Sequence, residues 1–485
     1  MNFYTKEKEI ILFSVFYIIA LGALLILGIN FSLKAPVWID EIFSFYHSTG
    51  GTLSDFISQT ECGLNRMPPF YFLLTKLLFN EQSYILNARV LSILCSSVTF
   101  LYLFKICNIW TDWSISFFLS SLTLFNSTLF LQYAFEARPY SMCLMLLTLF
   151  CFYIIKYELS QKNKCRDYFI LGFLCFLLPT SHYTYGISSF VLGMTHLFFT
   201  RKNKVQIIIT YVIAGICFTA LHFNIFLNQQ EFGNLLMMIA YPTKEKIIEY
   251  LLLFFPIETM FILLISILTF YTFKDNHYFI KRTSNFNSCG YIGLSLICII
   301  FLGIMIARNF NGDMWFLPRY YLGGILLVVF FALPVFSTLK FRRKRTKVLL
   351  TTVTLALISA NSYRFKKNRT FLYDNPQTFC YAYYPDKDLD SYDMPIVTDD
   401  PILFFHYLYE GVNLYFLTDD KNTKNNFQQF SPKFQQLIIN EAQFNSMIFL
   451  SVKNKNQFLD SKYHKNTKLK LSVSPIHSAF LVQKS

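Results

Sequence analysis

Charged residues are scarce in this sequence of 485 residues. Asp, Glu, Lys and Arg together make up 15% of it, whereas 54% is hydrophobic and 19% is aromatic. Typical soluble domains carry about 25% charged residues. A water-soluble protein of this length has no use for so much apolar surface, so the composition predicts a polytopic membrane protein.

The sequence also lacks the short motifs of zinc-binding and nucleotide-binding proteins. Its eleven cysteines include no Cys-x-x-Cys pair and no Cys/His cluster with zinc spacing. No Gly-x-Gly-x-x-Gly segment and no phosphate loop is present, which argues against a nucleotide site. Most cysteines lie in apolar stretches, where they act as small hydrophobic residues. Cys62 and Cys380 fall in predicted outer segments, and a disulfide between them remains an alternative to two free thiols.

Eleven apolar stretches are interpreted as transmembrane helices, since about 20 residues span a bilayer core roughly 30 Å thick. They are 10–29, 84–104, 114–133, 137–155, 168–182, 185–200, 205–227, 247–271, 290–307, 319–339 and 347–360. The short stretch 168–182 can also join its neighbour as a hairpin or a broken helix. The first stretch is longer than the apolar core of a typical signal peptide, so we expect a retained anchor.

Lysine and arginine concentrate in alternate loops, which gives the orientation. These loops carry Lys6 and Lys8; Lys156, Lys162, Lys164 and Arg166; Arg201, Lys202 and Lys204; Lys274, Lys281 and Arg282; and Lys340, Arg342, Arg343, Lys344, Arg345 and Lys347. With an odd number of spans they share one side, which the positive-inside rule makes cytoplasmic. The net charge of +14 is therefore a topology signal, and we set nucleic-acid binding aside.

The predicted fold class is mainly α: a polytopic transmembrane helix bundle of about eleven spans over residues 1–361. Its first outer loop, 30–83, contains two short apolar segments that we interpret as interfacial helices. The composition becomes polar near residue 361, and 362–485 is predicted to be a small extracytoplasmic α/β domain. Its predicted strands are 395–398, 413–417 and 447–451, with a helix at 402–409.

Ionisable residues at the ends of the predicted spans fall on the outer side in five groups. The groups are Asp40 with Glu41, Arg66 to Tyr71, Glu136 to Tyr140, Ser181 to Tyr183, and Pro318 to Tyr320. Such residues are costly in a membrane unless they face a cavity or each other. Because all five groups share a side, they predict one site.

Each residue of this set also has a simpler interpretation. Asp40 and Glu41 suit a general base or a cation site, or they belong to a solvated acidic loop. Arg138 suits a phosphate clamp, or it pairs with Glu136 to close a helix hairpin. Arg319 suits the same clamp, or it reaches to the membrane interface. A structural role is favoured for His182 and for Arg89.

The order and spacing of these motifs resemble the polytopic C-type glycosyltransferases, of the protein O-mannosyltransferase and lipid A aminoarabinose transferase kind, in their bacterial branch. The matching segments are Trp38 to Glu41, Pro68 to Tyr71, Arg89 to Ser92, Glu136 to Tyr140, His182 to Tyr183, and Arg319 to Tyr320. They cover about 35–200 and 315–335. Met67 departs from the pattern, since many relatives have His or another polar residue before the two prolines. Arg66 is the residue that could replace the contact.

The resemblance implies an inverting transfer of a sugar from a polyprenyl-phosphate donor to an acceptor hydroxyl at the outer face of a bacterial inner membrane. It implies that Asp40 is the general base and that Glu41 orients it or shares a divalent cation. Arg138 and Arg319, with Tyr320, would bind the donor phosphate. The supporting residues it implies are Glu136, Tyr140, His182, Arg66 and Arg89, and the ligands of a cation would be Asp40, Glu41 and Glu136. The acceptor is left open among a glycan, a lipid and a protein.

A secondary transporter or a lipid flippase is the alternative from another class. It would also have many spans and buried charges. The charges of this chain cluster at one surface rather than in the middle of the membrane, and a transporter has no need for an outer α/β domain. The transferase interpretation is therefore favoured, with an N-terminus in the cytoplasm and a C-terminal domain outside.

Overall fold

A computed structural model of the chain describes most of the helical part and the strands of the C-terminal part. The described residues are 3–35, 37–61, 67–161, 164–200, 202–233, 287–309, 318–337, 351–363, 396–398, 404, 408–409, 414–417, 437–439, 446–452, 463–474 and 477–484. Among these residues, apolar helices dominate the part up to residue 363, and the strands from residue 396 onward form a β-sheet. This confirms the predicted fold class.

The helices follow one another through the first 363 residues. They are α1 (Phe3–Lys34), α2 (Ile39–Thr49), α3 (Leu53–Glu61), α4 (Phe70–Leu78), α5 (Tyr84–Asn108), α6 (Trp113–Phe125), α7 (Thr128–Tyr133), α8 (Tyr140–Leu159), α9 (Cys165–Ser181), α10 (Tyr183–Phe199), α11 (Lys204–Gly233), α12 (Asn287–Asn309), a 3-10 helix (Pro318–Leu326), α13 (Leu327–Phe336) and α14 (351–363). By length and composition, three described segments could cross a membrane: Tyr84–Asn108, Tyr140–Leu159 and Lys204–Ile225. Shorter apolar helices accompany them.

The predicted spans coincide with helical segments, except for 247–271, which lies outside the described residues. The stretch 114–133 is not one helix, because α6 ends at Phe125 and α7 begins at Thr128. Ser127 caps α7 by accepting a hydrogen bond from the backbone N–H of Phe130 at 3.1 Å. The stretch 319–339 likewise begins as a 3-10 helix before α13.

The predicted short span 168–182 and its neighbour form a hairpin with a single residue, His182, between α9 and α10. Pro179 lies inside α9 and has no N–H to donate to the carbonyl four residues earlier, that of Cys175. The hydroxyl of Ser189 on α10 donates to that carbonyl at 2.9 Å. One helix thus supplies the hydrogen bond that proline removes from the other.

The described part of the predicted first outer loop packs as three short helices, of which α3 was not predicted. The buried side chain of His47 on α2 contacts both other helices. Its ring stacks on that of Phe72 on α4, with centroids 4.6 Å apart, and its Nε2 lies 2.9 Å from the hydroxyl of Thr60 on α3. Burial, aided by the charges of Arg138 and Lys76, lowers the pKa of His47 to about 3. His47 is therefore neutral at physiological pH.

The C-terminal strands form one six-stranded sheet in the order β3-β2-β1-β4-β6-β5. They are β1 (Ile396–Thr398), β2 (Leu414–Leu417), β3 (Ile438–Ile439), β4 (Ser446–Val452), β5 (Tyr463–Ser474) and β6 (His477–Lys484). β1 to β4 are parallel, whereas β6 pairs antiparallel with β4 and β5. The predicted strands near 396, 414 and 447 are confirmed; β3 and the β5–β6 hairpin were not predicted.

Replacing Ser189 by Ala should destabilise the α9–α10 hairpin, because the carbonyl of Cys175 would lose its donor. We expect a loss of about 1 kcal/mol, seen as a lower melting temperature of the protein in detergent. Ser188→Ala makes the same change on the adjacent residue and serves as the control. Equal melting temperatures for the two variants would contradict this account.

Candidate active site

A buried ion pair joins α2 to α5 at the predicted outer side. Arg89 Nε donates to Glu41 Oε1 at 2.9 Å and Arg89 Nη2 donates to Glu41 Oε2 at 2.6 Å. Both side chains are 1% exposed. The two parallel hydrogen bonds are the bidentate geometry that the planar guanidinium favours.

The remaining bonding capacity of this pair ties in two further parts of the chain. Glu41 Oε1 also accepts from the backbone N–H of Ala137 at 2.7 Å, and Oε2 accepts from that of Trp38 at 3.0 Å. Arg89 Nη1 donates to the carbonyls of Ser32 and Ala35 at 3.1 and 3.3 Å. These carbonyls lie at the carboxyl end of α1, where a cation is favoured.

These contacts settle the charge state of Glu41. Burial alone would raise its pKa, but the charge and hydrogen bonds of Arg89 and the two backbone N–H donors outweigh burial, so the pKa lies below its usual value. Glu41 is a carboxylate with two donors on each oxygen. An acceptor hydroxyl or a metal ion would have to displace one of these donors to reach it.

Asp40, one residue earlier, has a different environment. It lies in the first turn of α2 and is partly exposed, whereas Glu41 is buried. The N-terminus of a helix favours a negative charge at this position. Asp40 is the more exposed of the two adjacent acidic residues, although its Oδ2 atom is buried.

Arg138 is anchored on the main chain of that same turn. Its Nη1 donates to the carbonyl of Asp40 at 2.8 Å and to the hydroxyl of Ser44 at 2.9 Å, and its Nη2 donates to Met67 Sδ at 3.3 Å. The guanidinium is 4% exposed and lies over the ring of Tyr140, 5.8 Å from its centroid. A cation is thus fixed beside the backbone of the accessible acid.

Tyr140 and His182 continue the site toward the α9–α10 hairpin. Their ring centroids are 5.7 Å apart, and both side chains are buried. His182 Nδ1 lies 2.8 Å from the hydroxyl of Thr184 and accepts from its backbone N–H at 3.3 Å, which caps α10. Glu136 is also buried; its backbone carbonyl accepts from the hydroxyl of Ser92 at 2.5 Å.

The remaining predicted residues are described only in part. Arg66 lies outside the described residues, and for Arg319 and Tyr320 the structure describes the backbone of the 3-10 helix but not the side chains. Their role in binding a phosphate stays a prediction. Among the residues that the structure describes, no group of three His, Cys, Asp or Glu side chains could hold a metal ion, so the cation also stays a prediction.

Sequence reasoning missed two contacts of Arg138, those with Ser44 and Met67. Ser44 follows Asp40 by four residues, so the two share a face of any helix that begins at Ile39. The first of the two apolar segments interpreted as interfacial helices is 42–46, which starts after Asp40, so the sequence prediction did not include this relation. Met67 was noted only as a departure from the family pattern, because nothing in the sequence brings it to Arg138, 71 residues away.

An apolar cavity of about 630 Å³ lies between α9, α10 and α11. Its walls include Pro179, Phe190, Met194, Val212, Phe218 and His222. Tyr183, the residue that follows His182 in the chain, also lines it. A Cβ added at Gly215 would meet no atom within 4 Å, because this part of α11 faces open space.

Comparison with solved structures identifies the fold. The chain has the C-type glycosyltransferase fold, that of a polytopic helical membrane protein. It aligns with ArnT from Cupriavidus metallidurans bound to undecaprenyl phosphate with a TM-score of 0.52 and 9% identity, over 96% of this chain and 97% of ArnT. For ArnT in the apo state the TM-score is 0.55, with 8% identity and 98% of both chains covered. No protein-family model and no curated protein matches the sequence.

Replacing Arg89 by Met should strongly destabilise the protein, because the buried carboxylate of Glu41 would lose its cation. Breaking a buried pair in this way costs about 3–5 kcal/mol, measured as a lower melting temperature and less folded protein. Adding Glu41→Gln removes the stranded charge and should restore part of the loss. Arg166→Met, at an exposed arginine, is the control; if it matched Arg89→Met, the ion pair would not be the cause.

Proposed function

We propose that this protein is a membrane glycosyltransferase. It moves a sugar from a polyprenyl-phosphate donor to an acceptor hydroxyl at the outer face of a bacterial inner membrane, with inversion at the anomeric carbon. The observation that carries the proposal is the 2.8 Å hydrogen bond from Arg138 to the backbone of Asp40. It holds a phosphate-binding group and an accessible carboxylate side by side, in a fold shared with a protein that binds undecaprenyl phosphate.

The chemistry divides between these two residues. The acceptor oxygen attacks the anomeric carbon while its proton passes to the carboxylate of Asp40, which acts as general base. The bond between that carbon and the phosphate oxygen breaks, and the charge that develops on the phosphate is stabilised by Arg138, assisted by Arg319 and Tyr320. A fixed cation in a site that excludes water is effective here because it needs no reorganisation during the reaction.

Glu41 contributes to this reaction by holding the parts of the site in place. Since each of its oxygens already accepts two hydrogen bonds, it holds α2 against α5 and the segment before α8. Asp40 and Arg138 are attached to those same two parts of the chain. The ion pair thereby sets the distance between base and phosphate-binding group. A divalent cation, where one takes part, would be held by Asp40 and Glu136.

The cavity between α9, α10 and α11 supports a donor carried on a lipid. Its size falls within the range of about 300–1,000 Å³ that is usual for small-molecule sites. An isoprenoid chain in it would leave its phosphate near His182 and Tyr140, beside Arg138. The acceptor remains a glycan, a lipid or a protein.

The C-terminal domain would cover this side of the bundle. The ring of Tyr409 meets that of Phe45 on α2 edge to face, with centroids 5.2 Å apart. Phe45 follows Ser44, the residue that binds Arg138. We place residues 362–485 outside the membrane with the site, and the N-terminus in the cytoplasm.

Asp40→Asn should abolish sugar transfer while leaving the fold intact. Losing a general base costs about 100- to 10,000-fold in rate. The measurement uses purified protein in lipid with a panel of radiolabelled polyprenyl-phosphate sugars and a membrane extract as acceptor source. Asp55→Asn, at a partly exposed acid of the same predicted outer loop, is the matched control and should keep full activity.

Three outcomes distinguish the alternatives. Transfer by wild type and Asp55→Asn, but not by Asp40→Asn, supports the proposal. Equal transfer by all three removes Asp40 from the chemistry and leaves Glu136 as the next acid to test. Movement of intact labelled lipid across the bilayer, with no transfer from any donor, would favour a flippase.

Gly215→Phe should weaken the use of long-chain donors only, because the new ring would fill the cavity. Displacing about two CH₂ groups at about 0.8 kcal/mol each raises KM about tenfold for an undecaprenyl donor. KM for the same sugar on a geranyl chain should not change. Gly290→Phe on α12, where a side chain also meets open space, is the control; equal effects on both chain lengths would contradict the assignment of the cavity.

A further inference from the structure

The residues that follow Met67 in the chain fix its position next to Arg138. Met67 precedes Pro68, and a residue before proline is restricted to extended backbone. Pro69 then caps α4, which begins at Phe70. Packing of α4 on α2, through the hydrogen bond at 2.9 Å between Thr75 and Ser48, fixes where this lead-in segment lies. The Met67 side chain is 6% exposed, so it has little freedom to move away.

The acceptors that orient Arg138 in these contacts are all neutral. They are the carbonyl of Asp40, the hydroxyl of Ser44 and the thioether of Met67. A thioether sulfur is a weak acceptor. The bond to Nη2 is therefore the one that a phosphate oxygen displaces most easily, and an arginine with a phosphate favours two parallel charged hydrogen bonds.

We infer that Met67 is a positioning residue that holds Arg138 Nη2 toward the donor phosphate and yields it when the phosphate binds. The inference rests on the proposed function, because it takes the ligand of Arg138 to be a lipid-linked phosphate. The inference gives a role to position 67, where many proteins of the family that the sequence resembles have a polar residue. A stronger acceptor there would orient the arginine equally well but would compete with the phosphate.

Substitutions of similar volume separate acceptor strength from packing. Met67→Leu removes the acceptor, Met67→Gln provides a strong neutral acceptor, and Met67→Glu provides a charged one. Met145→Leu, on α8 away from Arg138, is the control for exchanging a methionine. Melting temperatures establish which variants are folded.

The measurement is the binding of radiolabelled undecaprenyl phosphate to the full-length protein in lipid nanodiscs, with undecaprenol as the uncharged probe. We expect Kd for undecaprenyl phosphate to be about threefold higher than that of wild type for Met67→Leu, which loses the orienting acceptor, about tenfold higher for Met67→Gln and about 100-fold higher for Met67→Glu. Undecaprenol binding should be the same in all variants, because the change concerns only the phosphate.

Two results would overturn the inference, and they are distinguishable. If wild type binds undecaprenyl phosphate and the folded Gln and Glu variants bind it equally well, Met67 only fills space and the proposed function stands. If wild type binds undecaprenyl phosphate no better than undecaprenol, Arg138 does not take a lipid phosphate, and the donor proposal falls with the inference.

Discussion

The ion pair between Glu41 and Arg89 is the interaction on which the predicted outer end of this protein depends. It is buried, bidentate and completed by four backbone groups from two segments that are far apart in sequence, residues 32–38 and Ala137. Moving two charges from water into a protein interior costs free energy. The attraction within a buried ion pair offsets that cost only when its geometry is good and its remaining hydrogen bonds are formed. Both conditions are met, so the pair fixes α1, α2, α5 and the segment before α8 in one arrangement.

Adjacent residues of similar chemistry take opposite roles because of this arrangement. Glu41 is held by a cation and by backbone donors, which leaves it no easy access to a substrate. Asp40, one position along the helix, is partly exposed. The two arginines also differ in their contacts: Arg89 forms a bidentate ion pair with Glu41, whereas Arg138 donates to the backbone carbonyl of Asp40, the hydroxyl of Ser44 and the sulfur of Met67.

Much of the helical architecture could be predicted from the sequence, because runs of apolar residues and the distribution of lysine and arginine are local signals. The break at Ser127 was missed, since the apolar run continues through it and only the cap reveals it. The β5–β6 hairpin was missed although β5 carries a strand signal, since Leu469, Leu471 and Val473 alternate with polar residues. At the site, sequence placed Asp40, Glu41 and Arg138 on one side of the membrane. It could not pair Glu41 with Arg89, 48 residues away, since only packing decides which of several arginines reaches which acid.

The contact between Phe45 and Tyr409 has a consequence for how the protein is made. Phe45 leaves the ribosome early and Tyr409 much later. Their rings are in contact although most of the helical part separates them in sequence. This contact therefore forms only after the segments between the two residues have been synthesised. The helix that carries Asp40 thus gains its contact with Tyr409 at a late stage of synthesis, and a chain that stops before residue 409 lacks it.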